Sequence, residues 1–149
     1  MTLSIAYPKR FDIINFPANI FPVSSKEVIN SSHAPKAIGP YSQAVKVNNM
    51  VFLSGQIPLD PKTGQVHGSS IQEQTERVLK NIEAILKDIG GSLDNVVKTT
   101  VFMQNLSEFT QMNEVYSKFF NKNYPARATV EVAKLPKEVK VEIDAIAVL

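Results

Sequence analysis

The clearest periodic pattern of apolar and polar positions lies between Ser70 and Ile89, and it predicts an amphipathic helix. Ser70 and Glu73 have the spacing of a capping box, and the pair Gly90-Gly91 is a typical helix stop. The apolar residues recur at spacings of three, four and seven, joined by two leucines, which places them on one face of a helix. They are Ile71, Val78, Leu79, Ile82, Ile85, Leu86 and Ile89.

A second helix and five strands follow from the same kind of pattern. The second helix is predicted from Ser107, with Phe109, Met112, Val115, Tyr116, Phe119 and Phe120 facing inward. Segment AVKVNNMVFLSG predicts two short strands around an Asn48-Asn49 turn, after a Gly39-Pro40 turn. Three more strands are predicted in NVVKTTVFM, RATVEVAK and KVEIDAIAVL. The predicted order is β-β-α-β-α-β-β.

This order places both helices on one face of a single sheet, because strand-helix-strand connections are right-handed. The other face would then be bare. The third strand is nevertheless apolar on both faces, with Val97, Val101 and Met103 on one side and Val96 and Phe102 on the other. A sheet that is apolar on both faces needs a second cover. We therefore expect a homo-oligomer.

Composition narrows the possible functions. The 149 residues are 44% hydrophobic, carry a net charge of +2 and show no dense Lys/Arg run, so a nucleic-acid partner is not expected. There are no cysteines, which excludes disulfides, thiolate metal sites and a Cys nucleophile. His33 and His67 are far apart and are interpreted as loop residues rather than metal ligands. No apolar stretch is long enough to span a membrane.

Residues 1–32 differ in sequence pattern from residues 33–149, and we treat them as an N-terminal extension preceding one domain. Pro8, Pro17 and Pro22 interrupt any long helix there. The extension is either a packed arm or an organelle transit peptide, although the prolines disfavour the amphipathic helix that such a peptide needs. The expected compartment is the cytoplasm, with a mitochondrial or other organellar location as the alternative.

Five polar or small residues adjoin apolar strand or turn positions and are candidates for chemistry: Tyr41, Gly55, Asn113, Arg127 and Glu142. Each also has a purely structural interpretation, such as a half-buried turn aromatic, a glycine of unusual φ or an exposed strand charge. Arg127 stands out because it lies at the start of an otherwise apolar strand. The residues alone leave both interpretations open.

Five ordered segments resemble the RidA/YjgF family of enamine/imine deaminases, also described as the endoribonuclease L-PSP family. They are AIGPYSQAV, FLSGQIPLDPKTG, LDNVVKTTVFM, FTQMNEVYSKFF and PARATVEVAKLPKEVKVEIDAIAV, within residues 33–149. The resemblance implies an α+β, chorismate-mutase-like fold: a six-stranded mixed β-sheet with two α-helices packed on one face. It also implies a homotrimer with a central β-barrel, in agreement with the bare sheet face.

The resemblance also assigns roles to individual residues. Arg127 would bind the substrate carboxylate, and Glu142 would orient water and transfer protons. The other substrate-binding positions would be Tyr41, Gly55, Asn113, Thr129 and Pro136, in clefts between subunits. Thr129 departs from many members of the family, which have cysteine there. If backbone groups at this position contact the substrate, threonine in place of cysteine should change activity little, because water addition needs no sulfur nucleophile.

The activity implied is hydrolytic deamination of short 2-imino or enamine acids, such as 2-aminoacrylate and 2-iminobutanoate, to 2-keto acids and ammonia. No metal or organic cofactor is expected. Two alternatives stay open. One is a non-catalytic regulator that binds small carboxylic metabolites in the same cleft. The other is a translation inhibitor with ribonuclease activity, for which the sequence offers neither a basic groove nor a histidine pair.

Overall fold

The structure, a computed structural model, describes residues 25–149, which form one six-stranded mixed sheet and two α-helices. The order across the sheet is β1-β2-β3-β6-β4-β5. In chain order the elements are β1 (Glu27–Ile29), β2 (Ala44–Val47), β3 (Met50–Gln56), α1 (Ile71–Asp88), β4 (Val96–Met103), α2 (Phe109–Phe119), β5 (Ala126–Glu131) and β6 (Val141–Val148). The expected α+β fold is confirmed.

Helix α1 begins and ends where its capping residues predict. The Ser70 side chain accepts a hydrogen bond from the Glu73 amide at 3.2 Å, and the Glu73 carboxylate accepts one from the Ser70 amide at 3.0 Å. The hydrogen bonds that the Glu73 carboxylate accepts, led by the one from the Ser70 amide, lower the pKa of Glu73 to about 2. At the other end Gly90 takes a φ of +80°, and the Gly91 amide bonds the Leu86 carbonyl.

The amino-terminal part of the sheet is built from a hairpin and one further strand. Strands β2 and β3 pair antiparallel around Asn48, whose φ of +56° confirms the predicted turn. Strand β1 pairs antiparallel with β2, ahead of the expected domain boundary at residue 33. The sheet thus includes part of the segment assigned to the extension. The transit-peptide alternative concerns residues 1–32, of which residues 1–24 lie outside the described residues.

Both helices pack on the same face of the sheet, as expected. The buried strand residues that meet them form one core with α1 and α2: Ala44, Val51, Leu53, Val101, Met103, Val141, Ile143, Ala145 and Ala147. The opposite face carries apolar side chains that no part of residues 25–149 covers. Val28, Met50, Phe52 and Val130 are each 40–48% exposed there.

One detail of β4 was predicted wrongly. The pairing between β4 and β6 shifts register between Val96 and Lys98. This bulge reverses the alternation, so Val96 is buried on the helix face and Val97 is 47% exposed. Beyond the shift the expected pattern returns, with Val101 and Met103 buried under the helices and Phe102 on the other face.

Candidate active site

Arg127 lies on the edge strand β5, on the face covered by the helices. In the parallel pairing of β4 and β5 it is the partner of Thr99, which is fully buried. Its guanidinium carbon lies 4.6 Å from the centre of the Tyr116 ring and 5.6 Å from that of Phe109. Its Nη1 donates a hydrogen bond to Asn113 Oδ1 at 2.9 Å. All three side chains that contact the guanidinium in this way, Phe109, Asn113 and Tyr116, belong to helix α2.

The three helix residues lie together because of their spacing. Positions 109, 113 and 116 are separated by four and three residues, which puts them on one face of an α-helix. The Tyr116 hydroxyl is hydrogen-bonded to the Thr99 hydroxyl at 2.7 Å. Burial raises the pKa of Tyr116, while the Thr99 hydrogen bond and the Arg127 charge oppose that rise.

A cavity of about 360 Å³ opens beside Arg127, lined by Asn113, Tyr116, Ser117, Tyr124, Pro125 and Arg127. Within residues 25–149, Arg127 takes part in no ion pair, and its side chain makes a single hydrogen bond. A guanidinium has five N–H donors and no acceptor. The site therefore presents a half-buried positive charge with donors to spare.

Glu142 lies on β6, on the face away from the helices. It is paired with Phe102 of β4, and its carboxyl group packs against Gly55 of β3. The pairing of β3 with β6 is irregular between Leu53 and Gln56, which contains Gly55. A Cβ on Gly55 would lie 2.8 Å from the Glu142 carboxyl carbon and overlap its oxygen. Position 55 must be glycine for Glu142 to hold this conformation.

The surroundings of Glu142 alter the pKa of its carboxyl group. Burial raises the pKa of its carboxyl group above the ordinary value, and the neighbouring Asp144 carboxylate raises it further. Asp144 itself accepts a hydrogen bond from the Thr100 amide at 3.0 Å. A raised pKa makes the Glu142 carboxylate a better proton acceptor than an exposed carboxylate.

A second cavity, of about 300 Å³, opens beside Glu142, lined by Ile38, Tyr41, Ser54, Gly55, Ile57, Pro136 and Glu142. The Tyr41 hydroxyl accepts a hydrogen bond from the Ile38 amide at 3.3 Å. Pro136 begins a short turn in which Lys137 and Glu138 both have positive φ, of 55° and 56°. Apart from Glu142, this cavity is apolar or uncharged.

The expected site residues thus fall into two groups. Tyr41, Gly55 and Pro136 surround Glu142, while Asn113 contacts Arg127. Thr129 lies two residues beyond Arg127 on β5 and lines neither cavity. Its hydroxyl oxygen is buried and has no hydrogen-bond partner within residues 25–149. The fold of one subunit does not bring the two groups to a common cavity.

Several residues in and around these cavities were not singled out from the sequence. Tyr116 and Phe109 were assigned to the core of the second helix, yet they flank Arg127. Their spacing from Asn113 is the signal that could have placed them there. Thr99, Ile38 and Ile57 gave no such signal, because threonine and isoleucine are ordinary strand and loop residues.

His33 is exposed and bonds the Asp88 carboxylate through Nδ1 at 2.8 Å. No group of three or more His, Cys, Asp or Glu side chains that could hold a metal ion occurs in the described part of the chain. Neither of the helices within residues 25–149 has the length and apolar character needed to span a membrane.

The chain is similar to known proteins over most of its length. Residues 31–149 match the family described as Endoribonuclease L-PSP. A RutC family protein of Pyrococcus abyssi is 55% identical over 83% of this chain and 97% of its own. The human 2-iminobutanoate/2-iminopropanoate deaminase is 46% identical over 83% of this chain and 90% of its own.

A solved structure gives the same result for the fold. The crystal structure of Escherichia coli TdcF with bound serine superposes with a TM-score of 0.79 at 46% identity, covering 83% of this chain and 98% of that one. The family match over residues 31–149 spans both helices and both cavities, so it includes every candidate site residue from Tyr41 to Glu142. The chain belongs to the RidA/YjgF family, the family of the endoribonuclease L-PSP description.

Proposed function

We propose that this protein hydrolyses short 2-imino acids, and the enamine acids from which they form, to 2-keto acids and ammonia. The observation that carries the proposal is Arg127: a half-buried guanidinium held by helix α2, with no acidic partner within residues 25–149, beside an open cavity. Such a group suits a carboxylate, which it can hold by two parallel hydrogen bonds.

The second half of the site is the Glu142 cavity, and we propose that a neighbouring subunit supplies it. In-register strand neighbours point to the same face of a sheet. Arg127 pairs with Thr99 on the helix face, and Glu142 pairs with Phe102 on the opposite face. In a 2-imino acid the carboxylate and the imine carbon are bonded directly. A single subunit therefore cannot serve both ends of this substrate.

The face of the sheet that residues 25–149 leave uncovered supports such an assembly. Exposed apolar residues on it, among them Met50 and Phe52, need a cover, and a second copy of the same sheet is a suitable one. We propose a homotrimer in which the sheets surround a central barrel. Each cleft between neighbours would then combine the Arg127 cavity of one subunit with the Glu142 cavity of the next.

The reaction adds water across a C=N bond. With Arg127 holding the carboxylate, Glu142 accepts a proton from the attacking water as its oxygen bonds to the imine carbon. Glu142 passes this proton to the nitrogen, which gives a neutral carbinolamine. Glu142 then accepts the hydroxyl proton as the carbonyl forms and transfers it to the nitrogen, so the C–N bond breaks and ammonia leaves. An enamine acid first takes a proton from solvent on its terminal carbon and releases one from its nitrogen, which gives the imine.

The remaining residues have supporting roles in this proposal. Tyr41 and the apolar lining of the Glu142 cavity pack the short side chain of the substrate. Backbone groups near Gly55 and Thr129 hold the imine nitrogen and the water. Pro136 shapes the cavity wall. Because such imines also hydrolyse unaided, positioning and proton transfer are sufficient to account for catalysis.

The test is release of ammonia and 2-keto acid from freshly generated 2-aminoacrylate and 2-iminobutanoate, with the uncatalysed rate subtracted. Loss of the charged hydrogen bonds in Arg127→Ala should lower kcat/KM about a hundredfold or more. Arg127→Lys keeps the charge but loses the planar fork, so an intermediate loss is expected. Binding of small carboxylic acids by the wild type without turnover would instead indicate the metabolite-binding regulator.

A further inference from the structure

We propose that Tyr116 is a positioning residue for Arg127: its ring is a fixed platform that orients the guanidinium toward the carboxylate of the ligand. The inference rests on the proposed function for the identity of the substrate. The carboxylate-binding role of Arg127 can nevertheless be measured without turnover, so the two can fail separately.

The Tyr116 ring is held on several sides. Its hydroxyl is hydrogen-bonded to the Thr99 hydroxyl at 2.7 Å, which links helix α2 to strand β4. The Phe120 ring packs against it with a centroid distance of 4.6 Å and an interplanar angle of 34°. Tyr116 is only 3% exposed. A ring fixed at both its edge and its face has a defined plane.

Arg127 needs such a platform because its own strand gives it little support. Strand β5 pairs with β4 alone and lies at the edge of the sheet. An arginine side chain has many rotamers, and ordering it on ligand binding costs entropy. The Tyr116 ring at 4.6 Å attracts the guanidinium through its π-electrons. The hydrogen bond to Asn113 then fixes rotation in the plane of the guanidinium.

This arrangement predicts a particular kinetic effect. Arg127 would hold the carboxylate equally in the bound substrate and in the transition state. A looser Arg127 therefore weakens binding of both states and raises KM, with kcat almost unchanged. Tyr116→Leu, which removes the ring, should raise KM about tenfold, the range expected for a partly desolvated cation–π contact. Tyr116→Phe keeps the ring and its packing against Phe120 but loses the hydrogen bond to Thr99, so it should restore most, not all, of the affinity.

General destabilisation of α2 would give a different result. Val115 is the buried neighbour of Tyr116 on the same helix. It is not one of the side chains that contact the Arg127 guanidinium through an aromatic ring or a hydrogen bond. Val115→Ala should lower the melting temperature as a cavity-forming change, without altering KM. It is therefore the matched control for Tyr116→Leu.

The experiment uses the full chain and 2-oxobutanoate, a simple 2-keto carboxylate, as the probe. NMR of the arginine Nε–H groups suits this protein because it has three arginines, Arg10, Arg77 and Arg127, and Arg127→Lys assigns the signal. We expect 2-oxobutanoate to shift the Arg127 signal. Tyr116→Leu should move that signal in the free protein and weaken binding about tenfold, and Tyr116→Phe and Val115→Ala should not.

Equal affinity of wild type and Tyr116→Leu for 2-oxobutanoate would overturn the inference, as would an Arg127 signal that Tyr116→Leu leaves in place. A wild type that binds no 2-oxobutanoate would overturn it as well. Binding with the expected variant order but no deamination would uphold the inference and reject the proposed function alone.

Discussion

Arg127 and Glu142 lie on opposite faces of one sheet, and their surroundings differ in kind. Arg127 is held by side chains: an aromatic ring at 4.6 Å and an amide oxygen at 2.9 Å. The Glu142 carboxyl group instead occupies room that is available only because Gly55 has no side chain. The first group is permanently charged, whereas burial and Asp144 raise the pKa of the second.

The difference matches two different tasks. A fixed charge of fixed orientation is suited to binding, because it recognises a carboxylate without changing state. A carboxyl group with a raised pKa is suited to proton transfer, because its carboxylate accepts a proton more readily than an ordinary one. Within the proposed reaction, the helix face of the sheet provides the binding half and the bare face provides the chemical half.

The largest effect is expected from preventing the two halves from meeting. Phe52→Glu places a charge on the uncovered apolar face and should prevent assembly and nearly all activity, because a buried unpaired charge is strongly unfavourable at an interface. Light scattering after gel filtration should change from a trimer of the 16.5 kDa chain to a monomer. Val66→Glu is the control, since Val66 is equally apolar and 39% exposed but lies in a loop.

A smaller loss is expected from changing the chemical half alone. Gly55→Ala forces Glu142 out of its conformation and should lower kcat about a hundredfold, the lower end of what general acid–base catalysis contributes. Affinity for 2-oxobutanoate should stay within a few-fold, because Arg127 is untouched. Gly64→Ala is the matched control: Gly64 has a φ of +69° and open space around it, so strain should lower stability by about 1 kcal/mol without affecting kcat. Unchanged kcat in Gly55→Ala would remove Glu142 from the mechanism.

The smallest effect concerns the pH profile. If Glu142 acts first as a base, kcat/KM falls as the pH falls through its raised pKa. Asp144→Asn removes the neighbouring charge yet keeps the oxygen that accepts from the Thr100 amide, so the acid limb should move to lower pH. Asp94→Asn removes an exposed carboxylate elsewhere and should leave the profile in place. A shift to higher pH in Asp144→Asn would contradict the assignment.

The same shift has a consequence for stability. Because the folded protein raises the pKa of Glu142, its contribution to stability is fully present below the ordinary carboxyl pKa and is lost as the pH rises through the raised value. Glu142→Gln cannot ionise, so it should be more stable than the wild type at neutral pH. That advantage should disappear in acid, which thermal unfolding at several pH values would detect.

Much of the fold was predictable, because local rules and packing agree. The capping box at Ser70 and the turn at Asn48 each lie where the residue types require them. The bulge at Val97 was not predictable, since nothing in a run of β-branched residues marks one of them as unpaired. Strand β1 was missed because three residues carry too little pattern.

The candidate site was predictable only through resemblance to a family. Spacing alone leaves Arg127 and Glu142 as ordinary strand charges, and their separation in chain and in space hides any relation between them. The platform under Arg127 shows why: Tyr116 follows the helical pattern of a core residue, and it is one, being 3% exposed. Its second role depends on which strand passes beside the helix, which the sequence of α2 does not contain.

The most direct test of the split site is to mix two inactive variants. Arg127→Ala and Glu142→Gln would be unfolded together in equal amounts and refolded, and mixed oligomers would be verified by mass. If one subunit supplies Arg127 and its neighbour supplies Glu142, random assembly restores about a quarter of the clefts and of the wild-type activity. Verified mixed oligomers that stay as inactive as their parents would contradict the proposal that the site is shared between subunits.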